Sequence, residues 1–184
     1  MNGWSPRVRW GMQHQVISCF VPPEREAFTA LLQEYYALMV ARIKEDSEFA
    51  GDGAMAIEEF WGEVDKYMPP EGRLFLAKND AGDMIGCGMM KKIKPDTAEM
   101  KRLYVKPETR GTGLGRHLVE RRMAAAREMG VKVLLVDTLK ANVEMQGLYR
   151  KLGFEEIDVY PESATYNMVP ELLPLMAFFR MELD

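Results

Sequence analysis

The sequence is poor in the residues that most often announce a metal centre or a covalent framework. It holds two cysteines, Cys19 and Cys87, and two histidines, His14 and His117, with no C-x-x-C and no Cys/His pair at ligand spacing. A disulfide scaffold and a zinc or iron site therefore find no support, and the chain is expected in a reducing cytoplasm. No apolar run approaches the roughly 20 residues that a membrane-spanning helix needs. The first fifteen residues carry Arg7 and Arg9 but have neither the apolar stretch nor the cleavage site of a secretory signal. No repeat, low-complexity tract or Pro/Gly/Ser linker divides the chain, so residues 1–15 read as a loose N-terminal extension, which Trp4 and Trp10 could dock, and 16–184 as one domain. What is present is ordinary: 184 residues, 47% hydrophobic and 28% charged, a globular composition long enough to bury a core.

The net charge is −4, unevenly spread. Between Lys91 and Arg127 stand eleven Lys/Arg against four Asp/Glu, a net of +7, which leaves −11 for the rest. Such a segment would attract a small polyanion, whereas the acidic remainder would repel a long nucleic acid. The plain alternative is a helix and a strand with solvated basic faces.

Hydrophobic spacing gives the elements. Val16 to Val21 reads as a strand, with Pro22-Pro23 opening an amphipathic helix from about Glu24 to Lys44. Ala56 to Tyr67 reads as a second helix. Three strands follow, Arg73–Lys78, Met84–Ile93 and Ala98–Val105, with turn chemistry at Asn79-Asp80-Ala81-Gly82 and Pro95-Asp96, so the middle of the chain is an antiparallel meander. Leu114, Leu118, Val119, Met123, Ala126 and Met129 form a helical stripe closed by Gly130. A buried-looking strand over Lys132–Asp137, a helix over Asn142–Leu152 and strands over Phe154–Val159 and Met176–Leu183 complete an α/β arrangement around a mixed sheet. Tyr160 to Pro174 reads as a loop.

Arg110-Gly111-Thr112-Gly113-Leu114-Gly115 lies between a strand and a helix. Glycines let backbone N–H groups approach a ligand, and a helix N-terminus adds about half a positive charge, a combination that holds a pyrophosphate. A glycine-rich turn with no ligand is the other reading. Neither a GxxxxGK[ST] loop nor a Rossmann fingerprint opening the first βαβ unit is present.

Arg110-x-x-Gly113-x-Gly115 resembles the R/Q-x-x-G-x-G/A signature of the GNAT superfamily, the Gcn5-related N-acetyltransferases. Asn142, with Leu148-Tyr149 and Gly153-Phe154, resembles the same family's N-x-x-A-x-x-L-Y-x-x-x-G-F segment, Met145 standing where Ala is usual. The order of elements from Val16 to Leu183 is similar as well. The stretches Ala98–Val105 and Leu135–Leu139 resemble a bacterial subgroup of small stand-alone members.

The resemblance implies a largely antiparallel seven-stranded sheet flanked by about four helices, and a reaction in which acetyl-CoA acetylates an amine by direct attack. It implies that the amides from Arg110 through Gly111, Thr112, Gly113, Leu114 and Gly115 to Arg116 hold the pyrophosphate. The backbone of Leu103, Tyr104 and Val105 would pair with the pantetheine arm, an N–H there polarising the thioester. Asn142 would bond the pantetheine or cap its helix. Tyr149 would protonate the leaving sulfur, its other reading being a core aromatic. Glu99 is either the base that deprotonates the amine or half of a salt bridge to Lys101, Arg102 or a neighbouring strand. Strict alternation puts Glu99 on the face of Leu103 and Val105, unless a bulge reverses the relation.

Glu34, Tyr35 and Trp61 either line the acceptor pocket or are ordinary helix residues. Met84, Met89, Met90 and Met100 read as core, Cys87 as a buried hydrophobe and His117 as a surface residue. The acceptor is expected to be a small-molecule amine, with a protein N-terminus or lysine, or an acyl-CoA-binding module without turnover, as alternatives. A homodimer is open. Neither nucleic acid nor membrane is expected as a partner.

Overall fold

A computed structural model describes residues 14–48 and 51–184. The sequence-predicted extension lies outside them except for His14 and Gln15, which already belong to the first strand, so that strand starts two residues before its expected bound. Trp4 and Trp10 are outside the described residues. No helix among the described residues is long and apolar enough to cross a membrane.

The chain runs β1 (His14–Cys19), α1 (Arg25–Asp46), α2 (Ala54–Gly62), β2 (Gly72–Asn79), β3 (Met84–Lys94), β4 (Thr97–Val105), α3 (Leu114–Glu128), β5 (Val133–Leu139), α4 (Val143–Lys151), β6 (Glu155–Ile157), α5 (Ala164–Met168) and β7 (Met176–Glu182). The strands form one seven-stranded sheet, ordered β1-β2-β3-β4-β5-β7-β6. Every neighbouring pair is antiparallel except β4 with β5. That one parallel pair follows from α3, which carries the chain back across the sheet before β5 begins.

Local chemistry sets the ends. Glu24, rather than the prolines before it, starts α1: its carboxylate accepts from the N–H groups of Glu26 and Ala27 at 2.9 and 2.7 Å. The second predicted helix is shorter than its pattern suggests, because the chain tightens into a 3₁₀ turn at Val64–Tyr67 after α2 ends at Gly62. The loop 160–174 carries α5 and a 3₁₀ segment, Pro170–Leu175, neither of which its mixed composition announced.

Two cores lie on opposite faces of the sheet. One joins α3 and α4 to Met90, Met100, Leu134, Val136, Tyr149 and Phe179. The other joins α1 and α2 to Tyr67, Leu74, Cys87, Met89 and Tyr104. A smaller cluster of Leu135, Tyr160 and Phe178 covers the same side further along. Three of the four methionines read as core are buried, Met89, Met90 and Met100, and Met84 is half-buried against α1's core.

Candidate active site

Four facing pairs hold β4 to β5, from Thr97 with Val133 to Met100 with Val136. Beyond them the strands part, and no β5 residue faces Lys101 through Val105. The exposed strand edge includes Leu103, Tyr104 and Val105, the residues whose backbone is expected to receive pantetheine as an added strand.

A bulge on the other side of β4 shapes this fork. Cys87 faces Tyr104 and Met89 faces Lys101, so Gly88 alone stands opposite both Arg102 and Leu103. Arg102 there has φ of 48°, the one non-glycine residue with positive φ among those described. Such a conformation costs about 1–3 kcal/mol and needs its surroundings to hold it. Arg102 is held: it donates to Tyr36 Oη at 2.8 Å, Tyr67 Oη at 3.0 Å and Ala56 O at 3.3 Å, with Glu59 at 3.7 Å. Burial works against its charge, but the phenols of Tyr36 and Tyr67 outweigh that and raise its pKa above the ordinary value. The bulge also overturns strict alternation. Met100, Leu103 and Val105 pack with α3's core and Tyr104 with α1's, which leaves Glu99 on Tyr104's side of the sheet.

The glycine turn opens α3. Gly111 and Gly113 have φ of 76° and 87°, and a methyl group added at either would meet nothing within 4 Å. The backbone there lies open to a ligand, and the first amides of α3 have no acceptors within the helix. Arg110 ties the turn to the end of β4, its Nε donating to Val105 O at 3.1 Å, and Thr112 Oγ1 donates to Thr109 O at 2.7 Å. The surrounding basic segment is not one positive patch. Lys91, Lys94, Arg102 and Lys106 pair with Glu63, Glu162, Glu59 and Glu34, all from outside the segment, while Arg116 pairs with Glu120. The attraction expected of a +7 stretch is thus largely spent within the fold.

A cavity of about 230 Å³ runs through the fork, walled by α1, α2 and the α5 segment and reaching Leu103, Asn142 and Tyr149. Tyr149 is 3% exposed, packs between Phe154 and Phe179, and has a raised pKa because burial outweighs the pull of the Arg122 guanidinium. Asn142 sits at the α4 N-cap, but its side chain makes no cap; Nδ2 donates to Thr138 Oγ1 at 3.3 Å. Asp137, half-exposed, also lines the cavity, its Oδ2 accepting from Thr165 Oγ1 at 2.8 Å and Ser163 Oγ at 3.3 Å. Glu99 lies outside the lining. It is 1% exposed, accepts from Tyr160 Oη at 2.8 Å and stands 3.5 Å from Lys101 Nζ. Burial works against the Lys101 charge, yet Asp137 and Glu99 together raise its pKa.

Of the three helix residues considered for the acceptor pocket, Tyr35 lines the cavity. Glu34 instead pairs with Lys106 and accepts from Tyr104, and Trp61 donates to Thr29 Oγ1. Cys87 is fully buried and its thiol is pushed up to about 12, mainly by that burial, so it is no nucleophile. Sequence reasoning missed Asp137, Tyr36 and Lys101 as cavity residues. Asp137 left one usable sign, a carboxylate closing the apolar run Val133–Val136.

The acetyltransferase (GNAT) family model matches residues 35–154. An uncharacterised N-acetyltransferase of Schizosaccharomyces pombe is 30% identical over 152 residues, covering 81% of this chain and 87% of its own. An IAA acetyltransferase of Azospirillum brasilense is 33% identical over 122 residues, covering 64% of this chain and 77% of its own. Among solved structures, a GNAT acetyltransferase of Elizabethkingia anophelis with acetyl-CoA bound superposes with a TM-score of 0.61 at 20% identity, covering 95% of this chain and all of its own. The chain belongs to the GNAT acetyltransferase family and is an acetyl-CoA-dependent N-acyltransferase.

Proposed function

We propose that this enzyme moves the acetyl group of acetyl-CoA to the amine of a small molecule by direct attack. The observation that carries the reading is that Asp137 and Tyr149, a proton acceptor and a proton donor, line one cavity of about 230 Å³ at the β4–β5 fork. That volume suits a small acceptor, and the apolar side chains of Met39, Ile43, Met168 and Leu172 on its wall suit one with an apolar portion.

In this reading acetyl-CoA lies along the free edge of β4, with its pyrophosphate on the turn from Arg110 to Arg116. Two observations support the fit: the unpaired edge from Leu103 to Val105 and the open backbone at Gly111 and Gly113. Bound there, the thioester supplies an activated acetyl group. The chain's own residues do the rest. Asp137 takes the proton from the ammonium group, leaving a free amine to form the new N–C bond. Tyr149 gives its proton to the sulfur as the C–S bond breaks, and the second proton that the nitrogen loses on becoming an amide restores the phenol. Asn142 orients the arm. Glu99, held by Tyr160, fixes Lys101 beside Asp137 and so keeps a cation at the rear of the site.

The test is a screen of amine acceptors with purified protein, following release of the CoA thiol. The panel includes amino acids, polyamines, aminoglycosides and a lysine peptide. Turnover of a small amine far above that of the peptide supports the reading; the reverse order overturns it.

A further inference from the structure

Arg122, on α3, is 0% exposed. Its Nε donates to Leu118 O at 3.1 Å and its Nη1 to Met89 O at 3.3 Å. Its Nη2 has no hydrogen-bond partner, the one such buried side-chain polar atom among the described residues. No ion pair involves it there either, although six of the segment's other cations have one. The fold makes room for it: Gly88 lies directly above, where an added methyl group would come within 3.1 Å of Nε and 3.4 Å of Leu103. Leu103 is also a cavity residue.

Burying a guanidinium without a counter-charge is costly, and such a group is normally replaced by an apolar side chain or given a carboxylate. Tyr149 belongs to the same core as Leu118, Val119, Ala125 and Ala126, the α3 residues around Arg122, and its phenol and the Cys87 thiol are the ionisable groups that act on the guanidinium. The Cys87 thiol, pushed up to about 12 chiefly by burial, stays neutral. That leaves Tyr149. Its phenol oxygen becomes negative at one moment only, when it hands its proton to the departing sulfur.

We propose that Arg122 is a positioning residue for Tyr149, its buried charge stabilising the phenolate that forms as the C–S bond breaks. The inference rests on Tyr149 acting as the acid in the function proposed above. It answers a difficulty in that role. Burial raises the phenol above its ordinary value of about 10, while a thiol sits near 8.5, so an unaided transfer from Tyr149 to the sulfur runs uphill. A buried cation acting on the oxygen reduces the mismatch. The other groups around Tyr149, namely Asp137 on β5, Tyr35 on α1 and Tyr160 in the loop before α5, are neutral or negative and cannot do so.

The test is a double-mutant cycle on the whole enzyme with Arg122→Met, Tyr149→Phe and their combination. Rates are measured with acetyl-CoA and the fastest amine from the acceptor screen; if no amine is turned over, slow hydrolysis of acetyl-CoA supplies the rate. Arg122→Met is expected to lower kcat about tenfold to a hundredfold, with KM for acetyl-CoA little changed. Its Tm should hold or rise, since Met fills the site without the desolvation penalty. Arg122→Lys should recover part of the rate. In the Tyr149→Phe background, adding Arg122→Met should cost less than about twofold. An undiminished loss in that background would show that Arg122 acts on the sulfur or on the fold, and would overturn the proposal. So would a wild-type rate for Arg122→Met, or a fall in rate matched by a lower Tm with no recovery by Lys. Failure of every small amine in the screen would instead count against the proposed function, with the cycle still read on hydrolysis.

Discussion

Met100 and Val136 are the last residues to face each other on the parallel β4–β5 ladder, and the next residue on each strand, Lys101 or Asp137, already lines the cavity. The site therefore begins where the hydrogen-bonded ladder stops. Its chemistry can be probed residue by residue.

Tyr149→Phe keeps the ring between Phe154 and Phe179 and removes only the hydroxyl. Acetyl-CoA affinity should stay nearly constant while kcat falls about tenfold to several hundredfold. Steady-state kinetics alongside calorimetric titration of acetyl-CoA separates the two effects. Normal turnover by the Phe variant would assign protonation of the sulfur to water.

Gly113→Asp sets a carboxylate on the open backbone where the pyrophosphate is expected. Wild-type protein at a hundredfold excess of acetyl-CoA over Kd should gain about 2.7 kcal/mol, read as a higher Tm, and the variant should gain almost nothing. The variant's Tm without acetyl-CoA serves as the check on its fold, because φ at this position is 87°. An equal ligand-induced rise in both proteins would remove the turn from the binding site.

Asp137→Asn and Glu99→Gln should differ in how their losses depend on pH. Without its proton acceptor, the Asp137 variant depends on amine that is already free, so its deficit should be larger at pH 6 than at pH 9. Glu99→Gln keeps the bond from Tyr160 but leaves Lys101 with one fewer counter-charge. It should lower Tm and scale the rate evenly across pH. If the two patterns are exchanged, Glu99 is the base.

Glu63 anchors the network behind the bulge, accepting from Lys91 at 2.7 Å, Lys66 at 3.1 Å and Tyr67 at 3.2 Å. Burial works against its ionised form, but the bonds from Lys91 and Lys66 outweigh it and hold its carboxyl below the ordinary value. Stabilisation from this group is complete above the unfolded value of about 4.3 and is lost as pH falls through the lower folded one. Glu63→Gln should cost about 1 kcal/mol at pH 7, the carboxylate being partly screened by solvent, and the difference should be smaller at pH 3. Urea midpoints at the two pH values measure it; a constant difference would mean that charge plays no part.

The order of elements and the glycine turn were legible in the sequence because each rests on local chemistry: alternation in β2, the stripe of α3, glycines before a helix. The bulge was not, since Arg102 is held in place by Tyr36, Tyr67 and Ala56 from two distant helices and the turn after them. The place of Glu99 on β4 allows either a base or half of a salt bridge; it stands 3.5 Å from Lys101, and its engagement with Tyr160 depends on a loop whose path local composition does not fix. Arg122 was counted among the basic residues, although it lies four residues after Leu118 and three after Val119, on the buried stripe. A cation at an apolar phase of a helix was the available sign.

The bulge gives β4 two reading frames. Up to Lys101 the even positions belong to the α3 side, and from Leu103 the odd ones do. A β4 of the same length that ran through Lys101 to Leu103 without the bulge would turn every following side chain through the sheet. Tyr104 would then face α3 and Val105 the tyrosines of α1. Related sequences aligned without a gap can therefore share β4 letter for letter up to this point and still build different walls beyond it, so homologous acceptor sites have to be compared by frame as well as by residue.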